Sequence, residues 1–238
     1  MMTTPAPLVP MVLVHGAGGV GQLWQNQLLA FPRALAPDLP GRPGGPGLSS
    51  IPDMAGWLLR FIDDRVHARC VLGGHSLGAA VALQAALDAP ARLQGLILMG
   101  AGARLRVRAE FFELIRTSYG DAVEELLRWW FAPRAAPRIV DRARQALRSL
   151  APTVVHDDFW AADRFDVMAR LGEITLPTLI ICGEEDRMTP VKYARYLHEQ
   201  IAGSRLVIVP DAGHMVILEQ PRTVNEAIAE FLRAVAPS

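Results

Sequence analysis

Short apolar runs alternate with helical patterns along the first hundred residues. Three runs have the length of buried strands, at 8–14, 70–72 and 93–99. Helical patterns follow them at 24–29, 53–66 and 77–89. Asp53 is expected to cap the second helix, since a side-chain carboxylate can accept a hydrogen bond from a free backbone N–H there. This alternation predicts a parallel β-sheet with helices on both faces.

The alternation stops near Gly100, and only helical patterns follow until about residue 171, the last of them at 159–168. Strand patterns return at 178–182 and 205–209, with helices at 191–201 and 221–234. We therefore expect an α/β core formed by residues 1–102 and 173–238, interrupted by an all-helical insertion at 103–172. Four aromatic clusters in the insertion either pack in its core or line a pocket, and they centre on Phe111, Tyr119, Trp130 and Trp160.

The composition argues against several classes of protein. The 238 residues include 24 basic and 24 acidic side chains, so no net charge favours nucleic acid or an anionic membrane. No apolar run reaches the roughly 18 residues of a membrane span, and residues 1–10 lack the basic start and apolar core of a signal peptide. We expect a cytoplasmic protein whose partner is a small-molecule substrate. Cys70 and Cys182 lie inside apolar runs, so neither a disulfide nor a metal site is expected.

The motif Gly74-His75-Ser76-Leu77-Gly78 lies between a predicted strand and a predicted helix. A serine in such a tight turn presents its hydroxyl at the end of the sheet, where it can act as a nucleophile. The bare G-x-S-x-G pattern arises by chance in roughly one chain of this length in ten. The flanking elements and the partner residues must therefore decide its meaning.

Two residues that serine chemistry requires follow the later strand patterns. A serine hydroxyl is a weak nucleophile until a neutral imidazole removes its proton, and a carboxylate fixes the tautomer of that imidazole. Asp186 and His214 each come just after a predicted strand, as Ser76 does. Because the carboxyl ends of parallel strands meet at one edge of the sheet, we expect these three residues to converge there. Glu184 and Glu185 remain alternative candidates for the acid.

A glycine-rich loop, His15-Gly16-Ala17-Gly18-Gly19, follows the first predicted strand. It lacks both the G-x-G-x-x-G spacing and the lysine of a phosphate-binding loop, so no nucleotide cofactor is expected. Such a loop can instead aim a backbone N–H at an oxyanion beside the nucleophile. His15 and His75 are expected to be structural, because neither lies where a base would approach the serine.

With these motifs the chain resembles the α/β-hydrolase family. The resemblance rests on the His15-Gly16 loop, Asp38-Leu39-Pro40-Gly41, the pentapeptide around Ser76, Gly183-Glu184-Glu185-Asp186 with Pro190, and Gly213-His214. It implies that Ser76 is the nucleophile, that His214 is the general base and then the acid, and that Asp186 orients the imidazole. It also implies an oxyanion hole formed by the N–H groups of Ala17 and Leu77, and a helical cap in the insertion.

The chain departs from the family pattern in two places. Arg42 and Pro43 follow the second motif, where the family usually has a histidine and a glycine, so the conformation of that loop is left open. The family also commonly opens with a β-hairpin, for which too few residues precede the first predicted strand. We therefore predict an open, mostly parallel sheet of about six strands.

The resemblance implies a serine hydrolase that cleaves a carboxylic ester of a small or medium, largely apolar substrate through an acyl-enzyme. The same triad serves relatives that cleave C–C bonds or act as lyases or perhydrolases, and these activities remain alternatives. A ligand-binding receptor that keeps the fold is a further alternative. No cofactor is expected, and the sequence leaves the oligomeric state open.

Overall fold

The computed structural model describes residues 9–236 of the chain. Leu8, the first residue of the predicted first strand, and the ends of the predicted core at 1–8 and 237–238 lie outside the described residues. Within the described part, five strands form one sheet: Met11–Val14 (β1), Cys70–His75 (β2), Leu93–Met99 (β3), Thr178–Gly183 (β4) and Arg205–Val209 (β5).

All five strands are parallel, and their order in the sheet follows their order in the chain. A sixth position is occupied only by Leu35, which forms a single parallel bridge with Val12 on the free side of β1. The backbone of Leu35 exchanges hydrogen bonds with Met11 and Leu13 at 2.9 and 2.8 Å. The prediction of an open parallel sheet is confirmed, with five strands and one bridge where about six strands were expected.

Two apolar clusters cover the two faces of the sheet, because successive side chains of a strand point to opposite faces. In β3, for example, Leu96 and Leu98 belong to one cluster while Ile97 and Met99 belong to the other. Every strand residue from β1 to β4 is fully buried except Gln94, which accounts for the nearly continuous apolar runs in the sequence.

Ten α-helices lie within the described residues. Outside the insertion they are Gln25–Ala30 (α1), Ile51–Arg65 (α2), Leu77–Asp88 (α3), Val191–Gln200 (α8), Val216–Glu219 (α9) and Pro221–Val235 (α10). Helices α2, α3 and α8 contribute to the first cluster, and α9 and α10 contribute to the second. The helices therefore cover both faces of the sheet, as predicted.

The chain between β3 and β4 is helical, as its pattern predicts. It contains Ala109–Thr117 (α4), Tyr119–Trp130 (α5), Pro137–Ser149 (α6) and Pro152–Asp163 (α7), followed by a 3-10 helix at Met168–Glu173. Helix α4 packs on α5 and α7, α5 packs on α6, and α7 also contacts α3 of the core. We refer to residues 103–172 as the helical insertion. None of the helices between residues 9 and 236 combines the length and the apolar character that crossing a lipid bilayer requires.

Two local predictions need correction. The N-cap of α2 is Ser50, whose Oγ accepts the N–H of Asp53 at 3.2 Å and donates to its carboxylate at 2.5 Å. Asp53 is therefore the third residue of the helix, since Pro52 fits the first turn and lets the helix begin earlier. The helical pattern at 159–168 belongs to α7, which begins seven residues earlier and ends at Asp163.

Candidate active site

Ser76 lies in the turn that joins the end of β2 to the start of α3. Its backbone has φ +54° and ψ −116°, which is a strained conformation for a residue with a side chain. The turn is held by a hydrogen bond from the Ser76 N–H to the carbonyl oxygen of Met99, at 2.8 Å. Gly78 has no room for a side chain, since a Cβ there would lie 2.2 Å from the carbonyl oxygen of Val14. This is the geometry expected of the G-x-S-x-G motif.

The structure brings Asp186 and His214 together. Asp186 follows β4, His214 follows β5, and Nδ1 of the His214 ring lies 2.9 Å from Oδ2 of Asp186. Both side chains are buried, with exposed fractions of 0% and 1%. Because a carboxylate only accepts hydrogen bonds, it favours the tautomer with the proton on Nδ1, which leaves Nε2 free to accept a proton.

The carboxylate of Asp186 is held by three other donors. Its Oδ1 accepts the N–H groups of Met188 and Thr189, at 2.9 and 2.8 Å, and its Oδ2 accepts the hydroxyl of Thr189 at 2.8 Å. Burial raises the pKa of Asp186, but the charge of His214 and the hydrogen bonds from His214 and Thr189 outweigh it and hold this pKa below its usual value. Asp186 is therefore ionised at neutral pH.

The two alternative acids do not share this environment. Glu184 is exposed and Glu185 is half-buried, whereas Asp186 is buried. The two glutamates contribute backbone N–H groups that bond to Val209 and Ala212. The geometry therefore favours Asp186 as the partner of His214.

Ser76 and His214 line one small cavity, together with Ala17 of the glycine loop. The cavity has a volume of about 10 Å³, which is about the space that one water molecule needs. The rest of its lining is mostly apolar and comes from both the core and the insertion: Gly16, Leu23, His75, Trp130, Phe159, Met188 and Met215. Among the described residues, no hydrogen bond occupies the hydroxyl of Ser76, which lines the same cavity as the His214 ring.

The N–H groups of Leu77 and Ala17 have the positions that an oxyanion hole requires. Leu77 is the first residue of α3, so its N–H has no carbonyl one turn earlier in the helix. In the described part of the chain, no turn or loop hydrogen bond uses the N–H of either residue. Both residues are buried beside the serine turn, where such N–H groups can stabilise a negative oxygen.

The two other histidines near the site are neutral. Burial lowers the pKa of His15 to about 3, and burial together with the charge of His214 lowers that of His75 to about 3. Nδ1 of His15 donates to the carbonyl oxygen of Gly16 at 2.9 Å, and its Nε2 accepts the N–H of Leu39 at 3.0 Å. His15 therefore joins the glycine loop to the Asp38 loop through both of its ring nitrogens.

Some aromatic residues of the insertion line the cavity, and others pack within the insertion or lie at its surface. Trp130 and Phe159 line the cavity, and Phe111 packs edge-on against Phe159 with ring centroids 5.0 Å apart. The Tyr119 hydroxyl donates to the carbonyl oxygen of Leu147 inside the insertion, at 2.6 Å. Trp160 is not part of the cavity lining. The residue is 39% exposed, and the Arg164 guanidinium stacks on its ring.

The sequence did not point to three of the residues that shape the site. Thr189 contacts both Asp186 and His214, and a hydroxyl residue three positions after a carboxylate could have indicated the turn that places it. Glu219 accepts the N–H of Gly213 and of Ala132, which joins the His214 loop to the insertion. Asp158 of α7 bonds to the glycine loop and had no distinguishing signal in the sequence.

Comparison with known proteins identifies the family of this chain. Residues 11–227 match the family described as "Alpha/beta hydrolase family". The RutD protein of Variovorax paradoxus, named as a candidate carbamate hydrolase, is 30% identical over 98% of this chain and 94% of its own length. A solved structure described as a thermophilic esterase is 36% identical, with a TM-score of 0.86, over 94% of this chain and 90% of that one.

A second solved structure, a thermophilic esterase from Thermogutta terrifontis, is 29% identical and has a TM-score of 0.87. The alignment covers 99% of this chain and 97% of that chain. The family match extends from β1 to α10 and so includes the turns that carry Ser76, Asp186 and His214. The chain therefore belongs to the α/β-hydrolase family.

Proposed function

We propose that this protein is a serine esterase that cleaves a carboxylic ester of a small, largely apolar substrate through an acyl-enzyme on Ser76. The observation that carries the proposal is the buried hydrogen bond between Asp186 and His214, at the wall of a cavity that Ser76 also lines. A buried carboxylate that orients an imidazole beside a serine hydroxyl is the arrangement that activates serine as a nucleophile.

In the first half of the reaction, Oγ of Ser76 attacks the ester carbonyl carbon while its proton passes to Nε2 of His214. The carbonyl oxygen becomes negative, and the N–H groups of Leu77 and Ala17 donate to it. When the tetrahedral intermediate collapses, the C–O bond to the alcohol breaks and the alcohol oxygen takes the proton from His214. The ionised Asp186 stabilises the imidazolium that exists between these two transfers.

In the second half, His214 removes a proton from water, and the resulting hydroxide oxygen attacks the acyl carbon on Ser76. Collapse of this second intermediate breaks the bond to Oγ, which recovers its proton from His214. The net reaction consumes one ester and one water and releases an acid and an alcohol. Every proton is carried by His214, so the mechanism needs no cofactor.

The proposed size and polarity of the substrate follow from the cavity lining. Its side chains are mostly apolar, and two of them, Met188 and Met215, are flexible enough to adjust to a bound acyl group. The cavity is small, but Leu23 is also part of a neighbouring groove of about 690 Å³ between the core and α6. We therefore expect short acyl groups to be preferred and longer ones to need displacement of Leu23.

The proposal is tested with a fluorophosphonate probe and a panel of p-nitrophenyl esters of increasing acyl length. We expect labelling of the wild-type protein, loss of labelling in Ser76→Ala and in His214→Ala, and hydrolysis of short esters. The matched control is Ser118→Ala, since Ser118 lies in the insertion away from the cavity. Labelling of Ser76→Ala equal to that of the wild type would reject the proposed nucleophile.

The same experiment separates the other activities that a serine triad supports. A carbamate, a lactone, a vinylogous diketone and peracid formation are tested beside the esters. Turnover of one of these with no ester hydrolysis, but with labelling of Ser76, would keep the nucleophile and replace the reaction. Absence of both labelling and turnover would favour a ligand-binding role.

A further inference from the structure

A buried ion pair joins the helical insertion to the loop that departs from the family pattern. Arg42 follows Gly41 in that loop, and its guanidinium pairs with the carboxylate of Asp158 in α7. The side chains are 1% and 2% exposed, so water does not solvate either charge. Buried charges of this kind are tolerated where further hydrogen bonds satisfy their remaining donors and acceptors.

Those further hydrogen bonds go to the glycine loop beside Ser76. Oδ2 of Asp158 accepts the N–H of Gly18 at 2.8 Å, and Nε of Arg42 donates to the carbonyl oxygen of Gly19 at 2.7 Å. A second nitrogen of Arg42 donates to the carbonyl oxygen of Pro40 at 3.3 Å. The pair therefore holds the loop at one N–H and one carbonyl group on successive residues.

The position of these contacts matters because the loop is a tight turn. The N–H of Gly19 donates to the carbonyl oxygen of Gly16 at 3.0 Å, which makes Ala17 and Gly18 the two central residues. Gly18 has φ +64°, a conformation that glycine adopts readily. The N–H of Ala17 belongs to the peptide group just before the one whose N–H is bonded to Asp158. A shift of this turn away from the pair would therefore carry the N–H of Ala17 with it.

We infer that the Arg42–Asp158 pair is a positioning device for the oxyanion hole, which holds the N–H of Ala17 toward the carbonyl oxygen of the substrate. The inference rests on the proposed function, since Ala17 acts there as an oxyanion donor. It makes α7 of the insertion part of the catalytic arrangement through Asp158, although Asp158 itself touches no reacting atom. It also gives Arg42 a role at a position where the family usually has histidine.

The charge state of Asp158 is consistent with this role. Burial raises the pKa of Asp158 to about 6, while the charge of Arg42 and the hydrogen bond from Gly18 oppose that increase. The carboxylate is therefore mostly ionised at neutral pH and accepts charge-assisted hydrogen bonds from both partners, which are stronger than neutral ones.

A purely structural link between the insertion and the core is the alternative explanation. Removing one partner of a buried ion pair is destabilising wherever the pair lies, so loss of stability does not distinguish the two roles. A positioning role predicts that kcat falls while KM changes little. An oxyanion hole binds the transition state more strongly than the bound substrate, so its loss affects the reaction step rather than substrate binding.

The experiment compares Asp158→Ala and the isosteric Asp158→Asn with wild type by steady-state kinetics on a short p-nitrophenyl ester. We expect kcat to fall in Asp158→Ala by about 10- to 100-fold, below the roughly 10²–10³ of a whole oxyanion donor, with KM within about threefold. Asp158→Asn keeps an oxygen for Gly18 but loses the charge, so it should lie between Asp158→Ala and the wild type.

Two inhibitors report the oxyanion hole directly. An alkyl trifluoromethyl ketone forms a tetrahedral adduct with the serine, and its affinity should fall by the same factor as kcat/KM. The ether in which CH2 replaces the carbonyl group of the ester substrate binds only through its chain, and its affinity should stay within about twofold. Two control variants should change the affinity for neither inhibitor. Glu124→Ala breaks an ion pair inside the insertion, and Ile228→Ala destabilises the opposite face of the sheet.

Hydrogen exchange of the peptide spanning residues 15–20 gives a readout that needs no activity. Asp158→Ala and Asp158→Asn should speed exchange of the Gly18 amide by at least about tenfold at a temperature where both variants are folded, and Ile228→Ala should not. If Ser76→Ala keeps full activity, the proposed function fails, and the exchange result alone decides whether the pair holds the loop.

The inference is overturned if exchange of the loop is unchanged in both Asp158 variants. It is equally overturned if exchange increases while the affinity for the trifluoromethyl ketone stays at the wild-type level. Equal losses of affinity for the ketone and the ether would assign the pair a structural role only. If Asp158→Ala does not fold, Asp158→Asn and Arg42→Lys supply the same three measurements.

Discussion

Nε2 of His75 lies 2.8 Å from the backbone carbonyl oxygen of His214 and donates a hydrogen bond to it. The residue before the candidate nucleophile thus holds the loop that carries the candidate base. The two rings are also close, with centroids 4.7 Å apart, and the low pKa of His75 keeps that ring neutral. Had His75 been charged, it would have opposed the imidazolium that His214 must become.

We expect His75→Ala to lower kcat about tenfold, with KM changed less than threefold, because the loss of one hydrogen bond of about 1 kcal/mol loosens the position of His214. The change is measured by steady-state kinetics on a short p-nitrophenyl ester. His198→Ala is the matched control, since His198 is exposed and bonds to Ser204 far from Ser76. A kcat for His75→Ala within twofold of the wild-type value would contradict this role.

Asp186→Asn should fold normally and lose on the order of 10⁴ in kcat, because an amide can stabilise the wrong tautomer of His214 and cannot stabilise its charged form. Glu184→Gln and Glu185→Gln are the controls and should keep most of the wild-type activity, since neither side chain is buried as Asp186 is. Full activity in Asp186→Asn, with loss in one of the controls, would assign the role of the acid to a glutamate.

Leu23→Ala should increase kcat/KM for an octanoyl ester relative to an acetyl ester by about tenfold or more. The side chain of Leu23 lines both the Ser76 cavity and the larger groove beside α6, so its removal joins the two spaces. Each CH2 that then leaves water contributes about 0.8 kcal/mol. Trp160→Ala should leave the preference unchanged, because Trp160 is not part of the cavity lining. Equal preferences in wild type and Leu23→Ala would exclude this route for the longer chain.

The buried histidines should make the folded state less stable as pH falls below about 6.5. His15 has a folded pKa of about 3, below its unfolded value, so the unfolded chain takes up this proton first. Its contribution is complete above about pH 6.5 and is lost progressively toward pH 3. Between pH 7.5 and 5.5 the loss from His15 should be about 1.4 kcal/mol, because the unfolded pKa of 6.5 lies midway between these pH values and one pKa unit corresponds to about 1.4 kcal/mol.

The measurement is the free energy of unfolding in urea at both pH values, for the wild type and for His15→Gln. Asp158 has a raised pKa and changes stability in the opposite direction, so the difference between the two proteins isolates the share of His15. Glutamine can still accept the N–H of Leu39 but does not titrate. The same loss of stability in both proteins would show that His15 is not responsible.

The sequence alone was sufficient for the parts of the fold that local patterns encode. The strand at 93–99 has its predicted bounds, and β4 lies where an apolar run was found, because buried parallel strands must be apolar on both faces. The edge strand β5 also has its predicted bounds, although only its last residue is buried. The motif around Ser76 also indicated its own turn, since its first and last residues approach each other closely: a Cβ on Gly74 would lie 2.1 Å from the carbonyl oxygen of Gly78. Its order with Asp186 and His214 indicated the family.

Only the tertiary structure decided which side chains meet across the chain. Asp158 and Trp160 lie two positions apart on α7, and nothing in the local pattern distinguishes a buried ion-pair partner of Arg42 from an exposed ring under Arg164. The same holds for His75, whose partner is 139 residues away. Such contacts depend on how the insertion packs on the sheet, and periodicity reports only which face of a helix is buried, not what it is buried against.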